Sequence, residues 1–299
     1  MSEADQLLGK GVVRENVPLG PLTTYKAGGP ASYLAEIDHS DDLTALIDSG
    51  LTRGRPLLVL GRGSNLVVAD SGFDGLVIKL GGEYASATVE STCVVAGGAM
   101  PLPRLARKAV DASVLGLEFF VGVPGSVGGA VRQNAGCFGV ETKDRLVSAR
   151  IVDLESGVTD VRACAEFDFS YRHSNVAANE LVVSATFLGV PGDPAEGKEK
   201  MREITRWRKQ HQPGGTLNAG SVFKNPPGVA AGELIEGLGL KGTRVGDVSV
   251  SEKHANFFVA GQDATSQDIL ALVQLVKDTV FERTGTILEP EIQFVGFEQ

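Results

Sequence analysis

The sequence predicts an α+β protein organised in two domains, and three observations carry that prediction. A chain of 299 residues with an apolar fraction of 42% is long enough to bury two ordinary cores. Its first two thirds are rich in glycine and in short apolar runs bounded by turn residues, the pattern of strands. The composition then shifts at PGDPAEGKEK, residues 191–200, before a charged helical run and a final third with more helix. The boundary therefore falls between residues 1–191, in two lobes of about 1–80 and 81–191, and residues 192–299.

The elements follow in order. SYLAEI reads as a strand, SDDLTALIDSG as a short helix opened by Ser40 or Asp41, and PLLVLG as a buried strand. Strands GLVIKL and CVVAGG precede a helix near PLPRLARKAV, where Pro101 suits the first turn. VSARIVDLESGVTDVRAC is a hairpin turning at Ser156 and Gly157, and ELVVSATFLGV a further strand. Beyond the boundary come a charged helix through MREITRWRKQ, a short helix near GELIEGLGL and a strand ANFFVA. The last helix has the strongest pattern. Thr265 and Asp268 form a capping box, and Ile269, Leu272, Val273, Val276 and Val280 lie on one apolar stripe, which is core.

Composition excludes several functions. The formal net charge of −9, with both signs interspersed and no run of Lys and Arg, argues against nucleic acid as a partner. Cys93, Cys137 and Cys164 are odd in number and far apart, which fits neither a disulfide framework nor a zinc site. His39, His173, His211 and His254 have no metal-ligand spacing, so no metal is expected. No apolar run reaches the length of a membrane span and the N-terminus lacks a signal pattern, giving a cytoplasmic expectation. Oligomeric state is not legible, and a monomer is compatible with the sequence.

Two glycine-rich loops stand out. LGRGSNLVVAD places Gly61, Arg62, Gly63, Ser64 and Asn65 directly after a strand, as a plain turn or as a nest of backbone N–H groups for an anion. It is no Rossmann fingerprint, because LVVAD is strand-like and a third glycine is missing. The second, VGVPGSVGGAVRQNAGCFG, carries six glycines over residues 121–139. It reads either as a tight crossover between strands or as backbone that passes close to a large flat or phosphorylated ligand. Two such loops in one region suggest the two sides of a dinucleotide site.

GRGSN, GVPGSVGGAVRQNAG, YRHS, NAGSVFKNP, VSEKHANFFV and LEPEIQFVG, in this order, resemble the UDP-N-acetylenolpyruvoylglucosamine reductases, the MurB family of peptidoglycan precursor synthesis. The resemblance runs from PLTTYKAGGPA to FVG, almost the whole chain. It implies a two-part FAD-binding region of the vanillyl-alcohol-oxidase (PCMH) type, followed by a C-terminal α+β substrate-binding domain. The implied cofactor is non-covalent FAD, reduced by NADPH. By the same likeness Gly61, Arg62, Gly63, Ser64, Asn65, Val123, Pro124, Gly125, Ser126, Gly129, Ala130, Asn134, Ala135 and Gly136 contact the cofactor.

The resemblance also assigns chemistry. Ser221 of AGS is the proton donor to the carbon beside the substrate carboxylate, after hydride addition to the neighbouring enol-ether carbon. Arg172 of YRHS faces that carboxylate, where an always-charged planar fork suits the enolate that builds up. Glu291, the second acid of LEPEIQF, belongs to the same site. An ionised carboxylate there would oppose the developing charge, so Glu291 is expected to hold or share a proton. Tyr171, Lys224, Asn225, Lys253 and His254 are expected at the UDP-sugar, and Trp207 is expected to pack its helix.

Arg172 and Ser221 are separated by little more than one strand and one helix, which resembles the shorter, type II branch without a tyrosine loop. What closes over the UDP moiety is then not legible, and the histidine of RKQHQPGG departs from the family pattern. Two other functions stay open at this point. An alcohol-oxidising flavoenzyme on the same fold would keep the glycine loops without needing Ser221 and Glu291. A nucleotide-sugar sensor would bind no flavin.

Overall fold

The computed structural model describes residues 3–297. The chain divides into two compact units, one built from the stretches up to residue 16, 33–61 and 75–207, the other from 17–32, 62–74 and residue 208 onward.

In the first unit a five-stranded antiparallel sheet runs in the order Thr159–Ala163, Leu146–Asp153, Glu180–Leu188, Cys93–Gly97, Ala87–Glu90. The helix Leu102–Asp111 belongs to the same core because Leu102, Leu105, Ala106, Ala109 and Val110 repeat at helical spacing and are all buried. Pro101 is its N-cap, one position before the expected first turn. The hairpin expected at Ser156 and Gly157 is present. Gly157 takes φ 77°, and the Asp153 carboxylate accepts the N–H groups of Glu155 and Ser156. A second sheet, ordered Val13–Pro18, Pro30–Ile37, Phe73–Leu80, Leu57–Val59, shares a core with the helix Ser40–Asp48 through Ala35, Ile37, Leu46, Leu76 and Ile78. Leu57–Val59 pairs parallel with Leu76–Ile78 and is half-buried, so PLLVLG is less enclosed than its apolar run implies. The helix opens at His39, a residue before the expected cap.

One element departs from expectation. The second glycine-rich segment contains a helix, Val127–Gln133, with Val127, Ala130 and Val131 fully buried. Gly128 explains how. A Cβ there would lie 3.3 Å from the carbonyl oxygens of Gly98 and Val182, so the missing side chain lets the helix approach the sheet backbone.

In the second unit a three-stranded antiparallel sheet, Arg244–Val245, Val248–Val250 and Phe258–Ala260, accompanies the helix Ser266–Thr284. That helix has the expected capping box, Thr265 Oγ1 accepting from the Asp268 N–H and the Asp268 carboxylate from the Thr265 N–H, and ends at Gly285 with φ 72°. Its predicted stripe is the buried one, packed with Val222, Phe223, Ile235, Val250 and Phe258. Leu66–Val68 pairs parallel with Gln293–Val295, joining the strand after the first glycine loop to the chain near its C-terminus. Among the described residues no helix is long and apolar enough to cross a membrane.

Candidate active site

The two glycine loops meet. A Cβ at Gly61 would lie 2.8 Å from Ser126 Oγ, so the start of the first loop passes the second closely enough that an added side chain would have to displace the serine hydroxyl. Gly63 takes φ 61°, and a Cβ there would lie 2.3 Å from the Leu22 carbonyl oxygen. The carbonyl of Gly63 is tied down by the Thr24 N–H at 3.0 Å. Among the described residues none of the backbone N–H groups from Gly61 to Asn65 donates to a backbone carbonyl. A run of such donors around a left-handed glycine is the donor set a pyrophosphate needs. These residues therefore fit a dinucleotide.

In the second loop Pro124 and Gly129 are exposed, Val123, Gly125, Ala135 and Gly136 half-buried, and Ser126 and Ala130 buried. Asn134 differs from the rest. It is fully buried with φ 43°, donates Nδ2 to Glu141 Oε2 (3.0 Å) and to the Ser170 carbonyl (2.9 Å), and accepts from the Lys143 N–H (3.1 Å). Its amide is committed to bracing the protein.

What it braces is the turn of YRHS. Ser170 and His173 exchange backbone hydrogen bonds, with Tyr171 and Arg172 between them. Arg172 takes φ 55°, a conformation that favours Gly or Asn, so its backbone carries strain. Its guanidinium lies 3.8 Å from Glu141 Oε1, donates to the Gly136 carbonyl at 3.4 Å, and stands 4.8 Å from the centroid of the exposed Tyr171 ring. Glu141 gave no signal in the sequence, although it links Asn134, Lys143 and Arg172. Nearby, the exposed Phe138 meets Trp207 edge to face at 5.2 Å.

Ser221 and Glu291 occupy adjoining backbone segments of the second unit. Ser221 forms an isolated bridge with Phe257, and the Glu291 N–H donates 2.8 Å to the carbonyl of Val222, the residue after the serine. The buried Asn256 fixes the same segment. Its backbone carbonyl accepts the Val222 N–H, its Oδ1 accepts the Phe223 N–H at 2.9 Å, and its Nδ2 donates to the Phe223 carbonyl at 2.8 Å. Asn65 donates Nδ2 to the Glu291 carbonyl at 3.0 Å. Tyr25 also belongs here. It is buried beside Ala219, its hydroxyl has no partner in regular hydrogen-bond geometry, and burial raises its pKa, which a looser contact with the Ala219 backbone lowers in part.

The expected UDP contacts lie on the same unit. Lys224 pairs with Glu289 at 2.6 Å, and Asn225 Oδ1 accepts the Ala231 N–H at the start of the helix Ala231–Gly237. Lys253 donates to the Lys209 carbonyl. His254 Nδ1 accepts the Asn256 N–H at 3.2 Å, which leaves the ring proton on Nε2, and burial holds its pKa below the usual histidine value. Among the described residues no group of three or more His, Cys, Asp or Glu could hold a metal ion.

Residues 31–161 match the family described as FAD binding domain, and residues 212–295 the family described as UDP-N-acetylenolpyruvoylglucosamine reductase, C-terminal domain. A UDP-N-acetylenolpyruvoylglucosamine reductase of Synechococcus sp. (strain RCC307) is 43% identical over 95% of this chain and 94% of its own length. That of Azorhizobium caulinodans is 39% identical over 96% of this chain and 92% of its own. The chain belongs to the UDP-N-acetylenolpyruvoylglucosamine reductase family. The crystal structure of the reductase (MurB) from Thermus caldophilus superposes with a TM-score of 0.83 at 36% identity, covering 95% of this chain and 99% of that one. The fold is accordingly that expected, an FAD-binding region followed by the C-terminal domain of this reductase family.

Proposed function

We propose that this chain reduces the enolpyruvyl ether of UDP-N-acetylglucosamine to the lactyl ether, giving UDP-N-acetylmuramate for peptidoglycan in the cytoplasm, with non-covalent FAD and with NADPH as hydride donor. Residues 1–191 hold the cofactor and residues 192–299 the UDP-sugar. The observation that carries the reading is the meeting of Gly61 with Ser126 beside a run of open backbone N–H groups, in a chain of this family.

FAD, bound non-covalently, would supply the hydride-transfer chemistry that links NADPH to the enol-ether carbon. The backbone N–H groups of Gly61 to Asn65 would hold its pyrophosphate, and Ser126 and Gly129 would contact the cofactor. Arg172 receives the substrate carboxylate and offsets the negative charge that spreads into it. Its restraint by Gly136 and Glu141 means the guanidinium is placed before substrate arrives, so less side-chain entropy is lost on binding. Ser221 gives its hydroxyl proton to the carbon next to the carboxylate. A serine is a weak acid, and Glu291, held against the adjoining residue Val222, carries a proton that favours this transfer. Lys224 and Asn225 serve the diphosphate and uracil, with Tyr171, Lys253 and His254 toward the sugar nucleotide.

The test is anaerobic absorption spectroscopy of the purified protein. A flavin band bleaches with NADPH and returns on adding the enolpyruvyl sugar nucleotide. In Ser221→Ala the bleaching remains and the return slows by at least about a thousandfold, the scale of losing positioned proton transfer. A protein that binds no FAD, or a Ser221→Ala protein with full return, overturns the reading.

A further inference from the structure

We infer that Asn65 is a positioning residue for Glu291, holding the acid's backbone from within the phosphate-binding loop. The inference rests on the role proposed above for Glu291. The parallel pairing of Leu66–Val68 with Gln293–Val295 begins at Leu66 and Gln293. Before that point the ladder stops, and Asn65 extends it in two ways. Its backbone carbonyl accepts the Gln293 N–H at 2.9 Å, and its side-chain amide donates to the Glu291 carbonyl at 3.0 Å. The amide stands in for the peptide N–H that a longer strand would have offered.

Glu291 is thereby held on both sides. Its N–H is fixed by the carbonyl of Val222, next to Ser221, and its carbonyl by Asn65. A residue gripped at one peptide group alone can turn about the other. Gripped at both, its backbone is fixed relative to the serine segment, and with it the point from which the carboxyl extends. The backbone N–H of Asn65 takes no part in this and remains with the donors of the loop. One residue therefore serves two ends, its main chain toward the cofactor phosphates and its side chain toward the acid.

Two variants separate these roles. Asn65→Leu keeps the approximate shape and removes the donor, and Asn65→Ala does so with less bulk should leucine hinder folding. Both retain the backbone N–H. Stopped-flow absorbance of the flavin-loaded protein should show reduction by NADPH within about twofold of wild type, reoxidation by the enolpyruvyl substrate slowed about tenfold or more, and an FAD Kd within about threefold. Placed on Glu291→Gln, either variant should slow reoxidation by less than about twofold further, because its effect passes through the group already removed. A tenfold weaker FAD Kd with reoxidation at the wild-type rate would assign the side chain to the cofactor and overturn the inference. Fully additive effects in the double variant would overturn it as well. If Glu291→Gln itself reoxidises at the wild-type rate, the reading of Glu291 falls and this inference with it. If Glu291→Gln is slow while both Asn65 variants are fast, only the inference falls.

Discussion

Asn256→Leu removes the side chain that fixes the serine segment while keeping the same branched outline. In wild type, Oδ1 accepts the Phe223 N–H at 2.9 Å and Nδ2 donates to the Phe223 carbonyl at 2.8 Å, and both residues are buried. Leucine leaves that N–H and that carbonyl without partners. Each buried orphan costs about 1–3 kcal/mol, so the loss is about 2–6 kcal/mol. Little returns from the added apolar atoms, since the site is polar. With a urea slope of about 2–3 kcal/mol per molar, the midpoint falls by roughly 0.7–3 M at unchanged slope. Hydrogen exchange gives a local reading. The Phe223 amide should lose at least about 30-fold in protection, the equivalent of the lower bound at 1.4 kcal/mol per tenfold. Ser221 is two residues before Phe223, so substrate reduction slows in the protein that remains folded. A midpoint within about 0.3 M of wild type, with Phe223 protection intact, would refute the account of Asn256 as the brace.

The remaining predictions concern Tyr25 and His254. Tyr25→Phe deletes a buried hydroxyl with no partner in regular hydrogen-bond geometry, so the thermal midpoint should hold or rise, and a loss of more than about 1 kcal/mol would mean that the contact with the Ala219 backbone is a full hydrogen bond. His254 has its pKa lowered by burial in the folded chain, so the unfolded chain binds the extra proton first as pH falls below about 6.5. Stability should therefore decline as pH drops from 7.5 through the folded pKa, and His254→Gln should decline less over that window. Carboxylates such as Glu36 and Glu180, whose pKa values are lowered by Lys79 and Arg162, act only at lower pH. Equal declines in the two proteins would remove His254 as the cause.

Much of this was legible in the sequence because periodicity and turn chemistry are local. The helix Ser266–Thr284 was visible from Thr265, Asp268 and a stripe of branched residues, since its cap and its buried face are both written within 20 residues. The glycine loops were visible as loops, yet the helix Val127–Gln133 inside the second was not. Glycine lowers helix propensity, and only the distant carbonyls of Gly98 and Val182 explain why it is favoured at 128. The braces were invisible for a similar reason. Asn65 and Glu291 are 226 positions apart, and Asn256 and Phe223 are 33 apart, so no spacing rule connects them. An asparagine in a loop reads as a turn residue until its partner is known. Asn134 shows the limit from the other side. Its motif groups it with cofactor contacts, whereas its side chain is spent on Glu141, Ser170 and Lys143.

A common device underlies these placements. Arg172, Ser221 and Glu291 lie outside the regular strands and helices, on segments that have no continuous ladder to fix them. In each case a neighbouring asparagine supplies the missing bonds. Asn134 holds Ser170 at the head of the Arg172 turn, Asn256 holds Phe223 after Ser221, and Asn65 holds Glu291 itself. The residue type suits the task. A carboxylamide carries donor and acceptor together, like the peptide group it replaces, where a carboxylate only accepts and a hydroxyl holds one hydrogen. Its short side chain also loses less rotamer freedom than glutamine when fixed. The left-handed backbone of Arg172 shows what such bracing withstands, because a strained turn persists only where surrounding bonds over-determine it. Regular structure would impose its own spacing on these three side chains. Irregular segments tied by amides let each be set by its own bonds, and so make single braces, rather than whole elements, the points at which their geometry is decided.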